Sequence, residues 1–258
     1  MRFLRVNHRG HAHFARVANA SATHLELLDG APWPNSAGKP TGETLPLVGA
    51  QLLAAVAPSK IVCVGRNYAA HAAELGNAVP TEPLLFLKPP SSLLAADTAI
   101  IIPPQSQRVE HEAEIGVVIG TRIKAVDEAT AARAIFGITC VNDVTARDIQ
   151  KKEVQFTRAK SFDTFCPVGP FIETDFGALD ALTVTGRVNG EVRQHAPATA
   201  MVHSIPKLIA FISQIMTLEP GDLIATGTPE GVGPLVAGDV VEIEVSGVGV
   251  LRNSVANR

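Results

Sequence analysis

A charge excess of either sign is what this chain most plainly lacks. Its 258 residues carry 22 Lys and Arg against 25 Asp and Glu, a net charge of -3. That balance gives no electrostatic footprint for nucleic acid or for an anionic membrane surface. Cysteine is scarce too: Cys63, Cys140 and Cys166 are an odd number with no CxxC spacing. A disulfide framework is therefore not expected, and three buried free thiols in a reducing compartment are. No apolar run is long enough for a signal peptide or a membrane span, and the opening Met1-Arg2-Phe3-Leu4-Arg5 soon turns polar. Internal repeats, low-complexity tracts and the Gly-Lys-Ser/Thr of a phosphate loop are also missing. These absences together predict a soluble cytoplasmic protein without nucleic-acid or membrane partners.

What is present is apolar sequence in short runs. Hydrophobic residues make up 46% of the chain and charged residues 18%, which fits a compact core rather than disorder. The length allows one large domain with a small appendage. Residues 1–57 read as a small β-rich N-terminal domain with a turn-rich middle at Asp29–Asn35 and a short apolar helix near Gln51–Val56. Pro58-Ser59 marks the boundary, and Ile61–Val64 opens a larger domain over 58–258. Strands dominate there. Leu182–Val188 and Glu191–Gln194 flank Asn189-Gly190, a hairpin signal, and Val241–Val245 alternates before Gly247 and Gly249 turn the chain into Val250-Leu251. Three helices are expected: Tyr68–Leu75, one capped by Asp127 and ending near Gly137, and one starting at Ser204 with Pro206 in its first turn. The fold class that follows is α+β and strand-rich.

The chemistry concentrates in a few segments. Within the apolar run Glu112–Gly120, strand alternation places Glu112 and Glu114 on one face and Ile115, Val117 and Ile119 on the other. Two unpaired carboxylates side by side would be costly to bury, and a hard divalent cation removes that cost; a solvated strand face is the alternative. Asp143, at the end of a second apolar run, could complete a metal site, although Glu110 shares the face of Glu112 and Glu114 and confuses the ligand assignment. His71 and Glu74 lie three apart on one helix face, either as a base with its orienting carboxylate or as an ordinary surface pair.

Asn142–Asp148 is expected to end a strand and enter a polar loop. There Arg147 could clamp a substrate carboxylate or pair with Asp148 or another nearby acid. Lys160 sits between apolar neighbours, a setting for partial burial beside an anion. Thr226–Pro234 is a Gly/Pro loop whose amides and hydroxyls could cradle a carboxylate. His8, His11 and His13 have no evident partners and read as a surface strand face.

Six segments in order resemble the fumarylacetoacetate hydrolase family from about Ile61 to Leu251. They are Gly-Arg-Asn-Tyr-Ala-x-His-x-x-Glu at 65–74, Glu-Pro-Leu-Leu-Phe-Leu-Lys-Pro at 82–89 and His-Glu-x-Glu-Ile-Gly-Val-Val-Ile-Gly at 111–120. Asn-Asp-x-Thr-Ala-Arg-Asp at 142–148, Ala-Lys-Ser-Phe-Asp at 159–163 and Thr-Gly-Thr-Pro-x-Gly-Val-Gly at 226–233 complete the set. The resemblance implies a mixed β-sandwich roll, a homodimer and a Mg²⁺ or Mn²⁺ site, with Ca²⁺ able to stand in. The implied metal ligands are Glu112, Glu114 and Asp143, which leaves Glu110 outside. The implied catalytic residues are His71 and Glu74, carried on a lid, together with Lys160. Arg66, Tyr68, Arg147, Gln150 and Thr228 are the implied substrate contacts.

The family acts on 2-oxo acids and their enols. Gly65–Tyr68 and Lys160–Asp163 are closest in wording to acylpyruvate hydrolases and oxaloacetate decarboxylases. Glu82–Lys88 and Glu112–Glu114 occur equally in the branch of aromatic catabolism that holds 2-hydroxyhepta-2,4-diene-1,7-dioate isomerase and 5-oxopent-3-ene-1,2,5-tricarboxylate decarboxylase. The leading expectation is a metal-dependent hydrolase of acylpyruvates such as fumarylpyruvate, with oxaloacetate decarboxylation alongside. The isomerase/decarboxylase is the second expectation, and a non-catalytic binding protein on the same fold is the third.

Overall fold

The structure, a computed structural model, describes residues 1–18, 23–35 and 38–258. Its backbone is one long mixed sheet, a five-stranded sheet packed against it, and a small three-stranded sheet beside the site. Across the long sheet the strands run Pro40–Pro46, His24–Leu28, His11–Val17, Arg2–His8, Cys166–Glu173, Ile135–Asn142, Ala113–Ile119, Leu223–Ala225, Ile61–Gly65 and Leu84–Lys88. The five-stranded sheet runs Glu191–Pro197, Thr183–Val188, Val240–Val245, Gly249–Asn257 and Ala99–Ile102. This is the expected strand-dominated α+β sandwich.

The central strand Ala113–Ile119 shows why the layers form. All seven of its residues are buried. Ala113, Ile115, Val117 and Ile119 enter the main core with Val184, Ile243 and Leu251 of the second sheet. Val118, on the opposite face, joins a second cluster with Trp33, Cys63 and Val141. A strand covered on both faces needs apolar residues at both parities, and this one has them except at Glu114. The carboxylates of Glu112 and Glu114 thus lie on the face opposite Ile115, as alternation predicts, but on a covered face rather than a solvated one.

The first strands extend the long sheet: Arg2 and Phe3 pair with Glu173 and Ile172. They also keep a small apolar cluster of Leu4, Val6, Ala15, Leu25 and Leu27. The short helix expected near Gln51–Val56 is instead a strand, Gln51–Leu53, paired antiparallel with Arg5–Asn7. Six residues are too few to sustain a helix alone, and an open strand edge offers backbone partners at once. His8, expected to lack a partner, meets Glu43 at 3.0 Å.

The helices are α1 Ala69–Glu74, α2 Glu128–Arg133, α3 Arg147–Lys152, α4 Thr157–Lys160 and α5 Ile205–Ile215. Asp127 caps α2 by accepting from the Thr130 amide at 2.8 Å. That helix stops at Arg133 rather than near Gly137, because the β-branched and aromatic run from Ile135 pairs with the central strand. The polar loop expected after Asp143 is in fact a two-residue strand, Thr145–Ala146, followed by α3. The Asn189-Gly190 hairpin forms as expected, with φ of 53° and 80° at its two turn residues. The three cysteines are buried and free.

Candidate active site

Sheet register brings the acids together. Ala113 pairs with Asn142 at the end of an antiparallel ladder, so the next residues, Glu112 and Asp143, come to lie side by side. The Asp143 amide donates to the Glu112 carbonyl at 2.9 Å, and the Glu112 amide donates to Asn142 Oδ1 at 3.0 Å. Glu114, two residues on, faces the same way. Each of Glu112, Glu114 and Asp143 offers one carboxylate oxygen within 4.8 Å of the others, and their exposures are 4%, 1% and 1%.

Three cations attend this cluster. Lys160 Nζ donates to Glu112 Oε2 at 2.7 Å and to Asp143 Oδ2 at 2.6 Å. Lys88 Nζ donates to Asp143 Oδ1 at 2.6 Å and to the Val144 carbonyl at 3.2 Å. Arg147 spends its guanidinium on protein acids, with Nε on Glu110 Oε2 at 2.6 Å and Nη2 on Glu112 Oε1, while Nη1 meets Gln150 Oε1. Of its two expected roles, the structure shows the pairing with neighbouring acids; Asp148 is held instead by Ser106 and the Gln107 amide.

Glu114 is the exception. Its one hydrogen bond comes from the Gly227 amide to Oε2 at 2.9 Å, and no cation pairs with it among the described residues. Gly227 has φ of 100°, and a Cβ there would meet the Asn67 Cβ at 2.7 Å. Only glycine brings that amide so close. Burial, then the charges of Asp143 and Glu112, push the Glu114 carboxyl well above the usual carboxylate range. For Glu112 burial pushes the same way, but Lys160 and then Arg147 draw it well below that range. The same pairs raise Lys160, against burial, through Asp143 and then Glu112.

The donor set fits a hard divalent cation. Three buried carboxylates converge, one of them without compensation, and all donors are oxygen. Lys160 does not block that use, because a carboxylate oxygen can accept a hydrogen bond and still turn a lone pair to a metal.

A cavity of about 490 Å³ opens onto the cluster. It brings together most of the residues picked from sequence: Arg66, His71, Glu112, Glu114, Asp143, Arg147, Gln150, Lys160 and Thr228 all line it. Glu74 sits behind His71, with Oε2 3.4 Å from Nδ1, and also accepts from the Gly231 amide at 3.1 Å. The imidazole contact is loose and the amide contact anchors α1 to the 226–234 loop. Tyr68 lies outside the cavity lining; it is 2% exposed and its hydroxyl has no partner among the described residues.

Sequence reasoning passed over four contributors. Lys88 was legible as a lysine closing an apolar strand, Leu84–Lys88, before two prolines. Phe86 packs its ring 5.1 Å from Lys160 Nζ. Asn142 holds the Glu112 amide. Gln194 joins His111 to Thr228, its Oε1 accepting from His111 Nδ1 at 3.0 Å and its Nε2 donating to Thr228 Oγ1 at 2.8 Å. Nothing local in the sequence marks the last two.

Carboxylates that converge on one cavity, with Glu114 left unpaired by any cation among the described residues, are a donor set suited to a hard divalent cation. The chain belongs to the fumarylacetoacetate hydrolase family: the family model described as fumarylacetoacetate (FAA) hydrolase C-terminal matches residues 60–256. Residues 1–54 match the model described as Rv2993c-like, N-terminal. Protein Rv2993c of Mycobacterium tuberculosis is 48% identical over 220 residues, covering 84% of this chain and 83% of that protein. The mitochondrial oxaloacetate decarboxylase of Dictyostelium discoideum is 45% identical over 195 residues, covering 73% of this chain and 87% of that one. Among solved structures, 2-hydroxyhepta-2,4-diene-1,7-dioate isomerase from Mycobacterium marinum superposes with a TM-score of 0.89 at 40% identity, over 100% of this chain and 99% of that one. Enzymes of this family generally use divalent metals. No helix among the described residues is long and apolar enough to cross a membrane.

Proposed function

We propose that this protein is a divalent-metal-dependent hydrolase that cleaves the C–C bond of acylpyruvates such as fumarylpyruvate, and that it also decarboxylates oxaloacetate. The carrying observation is the buried Glu112, Glu114 and Asp143 cluster opening onto one cavity with His71 and Lys160. Those three carboxylates would hold Mg²⁺ or Mn²⁺, which supplies a Lewis acid for the carboxylate and 2-oxo oxygens of the substrate.

The chain's own groups do the rest. With Nδ1 turned to Glu74, the His71 Nε2 is the ring atom left to take a proton from water, which then attacks the distal carbonyl carbon. The bond from that carbon to the methylene breaks, giving a carboxylic acid and the enolate of pyruvate. The proton returns to the methylene carbon to give pyruvate. Lys160 uses two of its three N–H donors on Glu112 and Asp143; the third is free for the oxygen on which enolate charge grows. The α1 segment, which covers the cavity through His71 and Leu75, serves as the lid that keeps the site dry. A cytoplasmic homodimer, divided at residue 57 into a small domain and a catalytic one, completes this reading.

The names of the relatives favour a second reading on the same site. A base beside a stabilised enolate also serves ketonisation and decarboxylation, as the decarboxylase and isomerase names indicate for those proteins. Incubation with Mg²⁺ and fumarylpyruvate, oxaloacetate or a hydroxymuconate-type diene separates the outcomes. Pyruvate release from fumarylpyruvate is the expected result. A change in diene absorbance without cleavage would install the isomerase, and silence on every substrate would leave a binding protein. His71→Ala is expected to keep metal affinity and lose about two to four decades of turnover. Glu114→Ala is expected to lose metal and turnover together.

A further inference from the structure

The cavity has a second charged end. Arg66 lines it, half-buried, and no ion pair or hydrogen bond engages its guanidinium among the described residues. That idleness contrasts with Arg147, which also lines the cavity but is bound to two carboxylates and an amide oxygen. Lys151 also lines this cavity, exposed and without a partner among the described residues, while Glu153 beside it is taken by Arg158. Outside the carboxylate cluster, the charge left free on the cavity lining is therefore positive.

The backbone at Arg66 is held in an unusual shape. Its φ is 58°, in the left-handed region that non-glycine residues rarely adopt. Both neighbours are pinned: Gly65 is in register with Leu84. Asn67 donates to the His203 and Thr226 carbonyls at 3.1 and 2.8 Å and accepts from the His203 amide at 2.9 Å. A turn so over-determined aims one long side chain at the cavity.

Strand register locates that side chain relative to the acids. Ile61–Gly65 runs antiparallel to Leu84–Lys88, with Ile61 opposite Lys88 and Gly65 opposite Leu84. Lys88 is bound to Asp143 at one end of this pair, and Arg66 follows Gly65 at the other. Four residues of strand separate the ends, about 13 Å, with Phe86 and the Lys160 ammonium between them.

We infer that Arg66 is a specificity-determining residue that receives a second carboxylate of the substrate, at the end away from Glu112, Glu114 and Asp143. The preferred 2-oxo acid is then a dianion. This rests on the 2-oxo acid reading above. A guanidinium fork meets a carboxylate through two parallel hydrogen bonds, and a charged hydrogen bond left unmade in a covered site is where discrimination arises.

The test compares ligand pairs that differ only in the distal carboxylate. Fumarylpyruvate and crotonylpyruvate, which carries a methyl in place of the distal carboxyl, share the cleaved bond and the pyruvate product; 2-oxoglutarate and 2-oxopentanoate share chain length and need no turnover. The variants are Arg66→Gln and Arg66→Gly, the second suited to the positive φ and so free of added backbone strain. With Mg²⁺ present, both are expected to lose roughly 10- to 100-fold in kcat/KM for fumarylpyruvate, mostly in KM. Crotonylpyruvate should stay within about threefold, and the larger thermal shift from 2-oxoglutarate over 2-oxopentanoate should vanish. Arg66→Lys should restore part of the preference. An equal loss on both members of each pair, or no loss on either, overturns the inference while leaving the reading intact. Failure of the unaltered protein to bind or turn over any of the four overturns the reading, and the inference with it.

Discussion

Two buried carboxylates lie at opposite ends of the Leu223–Ala225 strand, and they are treated in opposite ways. Asp222, just before the strand, is fully buried. It accepts from the Ser59 amide and hydroxyl, the Lys60 amide and ammonium, and the Glu219 amide. Glu114, which meets the chain just after the strand, is as deeply buried yet has one amide from Gly227 and two like charges beside it. The first carboxylate ties Ser59-Lys60, just ahead of the Ile61–Gly65 strand, to the sheet. The second is left short of donors where a cavity lets a ligand supply the deficit. At Asp222 saturation marks a structural acid and at Glu114 the deficit marks a functional one; Glu112 and Asp143, paired with cations yet facing the cavity, lie between.

The largest expected effects separate these two. Asp222→Ala leaves Lys60, a hydroxyl and three amides unpaired at a buried position. It is expected to cost about 3–5 kcal/mol in urea unfolding while leaving Mn²⁺ affinity within about twofold. Glu114→Gln should do the reverse in chelated protein, with stability unchanged or raised and Mn²⁺ affinity by calorimetry down at least about tenfold. Equal destabilisation by both would erase the distinction.

Lys160→Met moves Glu112 and Asp143 toward the deficient class, leaving Glu112 with Arg147 and Asp143 with Lys88. Both carboxylates lose the ammonium they share, so the metal-free protein is expected to lose about 3 kcal/mol. Mn²⁺, standing in for the lost ammonium charge, should bind several-fold tighter and return much of that stability, even as turnover falls. Unchanged stability in chelated protein would show that Lys160 is not a counter-ion of the cluster.

The pH dependence sharpens the contrast within the site itself. The Glu114 carboxyl is raised in the folded chain. Its contribution to stability is complete below the ordinary carboxylate range and is lost as pH rises through the raised value. Glu112 is depressed, so its contribution is present above that range and is lost as pH falls. In chelated protein, denaturation midpoints from about pH 5 to 8 should therefore fall less steeply with pH for Glu114→Gln than for the parent. A metal ion should flatten the parent in the same way.

How much of this was legible follows from the range of each interaction. Alternation in Glu112–Ile119 is local, so the facing of the two glutamates could be read directly, and the six ordered segments carried the family. The meeting of Glu112 with Asp143 depends on the Ala113–Asn142 register, which no single strand reveals. Whether an acid is short of donors depends on residues as remote as Lys88, Lys160 and Gly227, so solvated and buried faces could not be told apart beforehand. The strand at Gln51–Leu53 and helix α3 were missed for the same reason: short segments take the structure their neighbours offer.

The smallest expected effect concerns Thr228, whose hydroxyl is already committed. It donates to the Ala113 carbonyl at 2.9 Å and accepts from Gln194 Nε2 at 2.8 Å, so it is saturated in the manner of Asp222 although it lines the cavity. Thr228→Val is nearly isosteric and removes both bonds. Gln194 keeps its bond to the Pro229 carbonyl at 2.7 Å, and the Ala113 carbonyl loses its side-chain donor. The expected cost is about 1 kcal/mol in urea unfolding, with kcat/KM for fumarylpyruvate within about fivefold of the parent. A loss of two decades or more in kcat at unchanged stability would mean that the hydroxyl turns to substrate during the reaction. The saturation rule would then fail for residues that can exchange one partner for another.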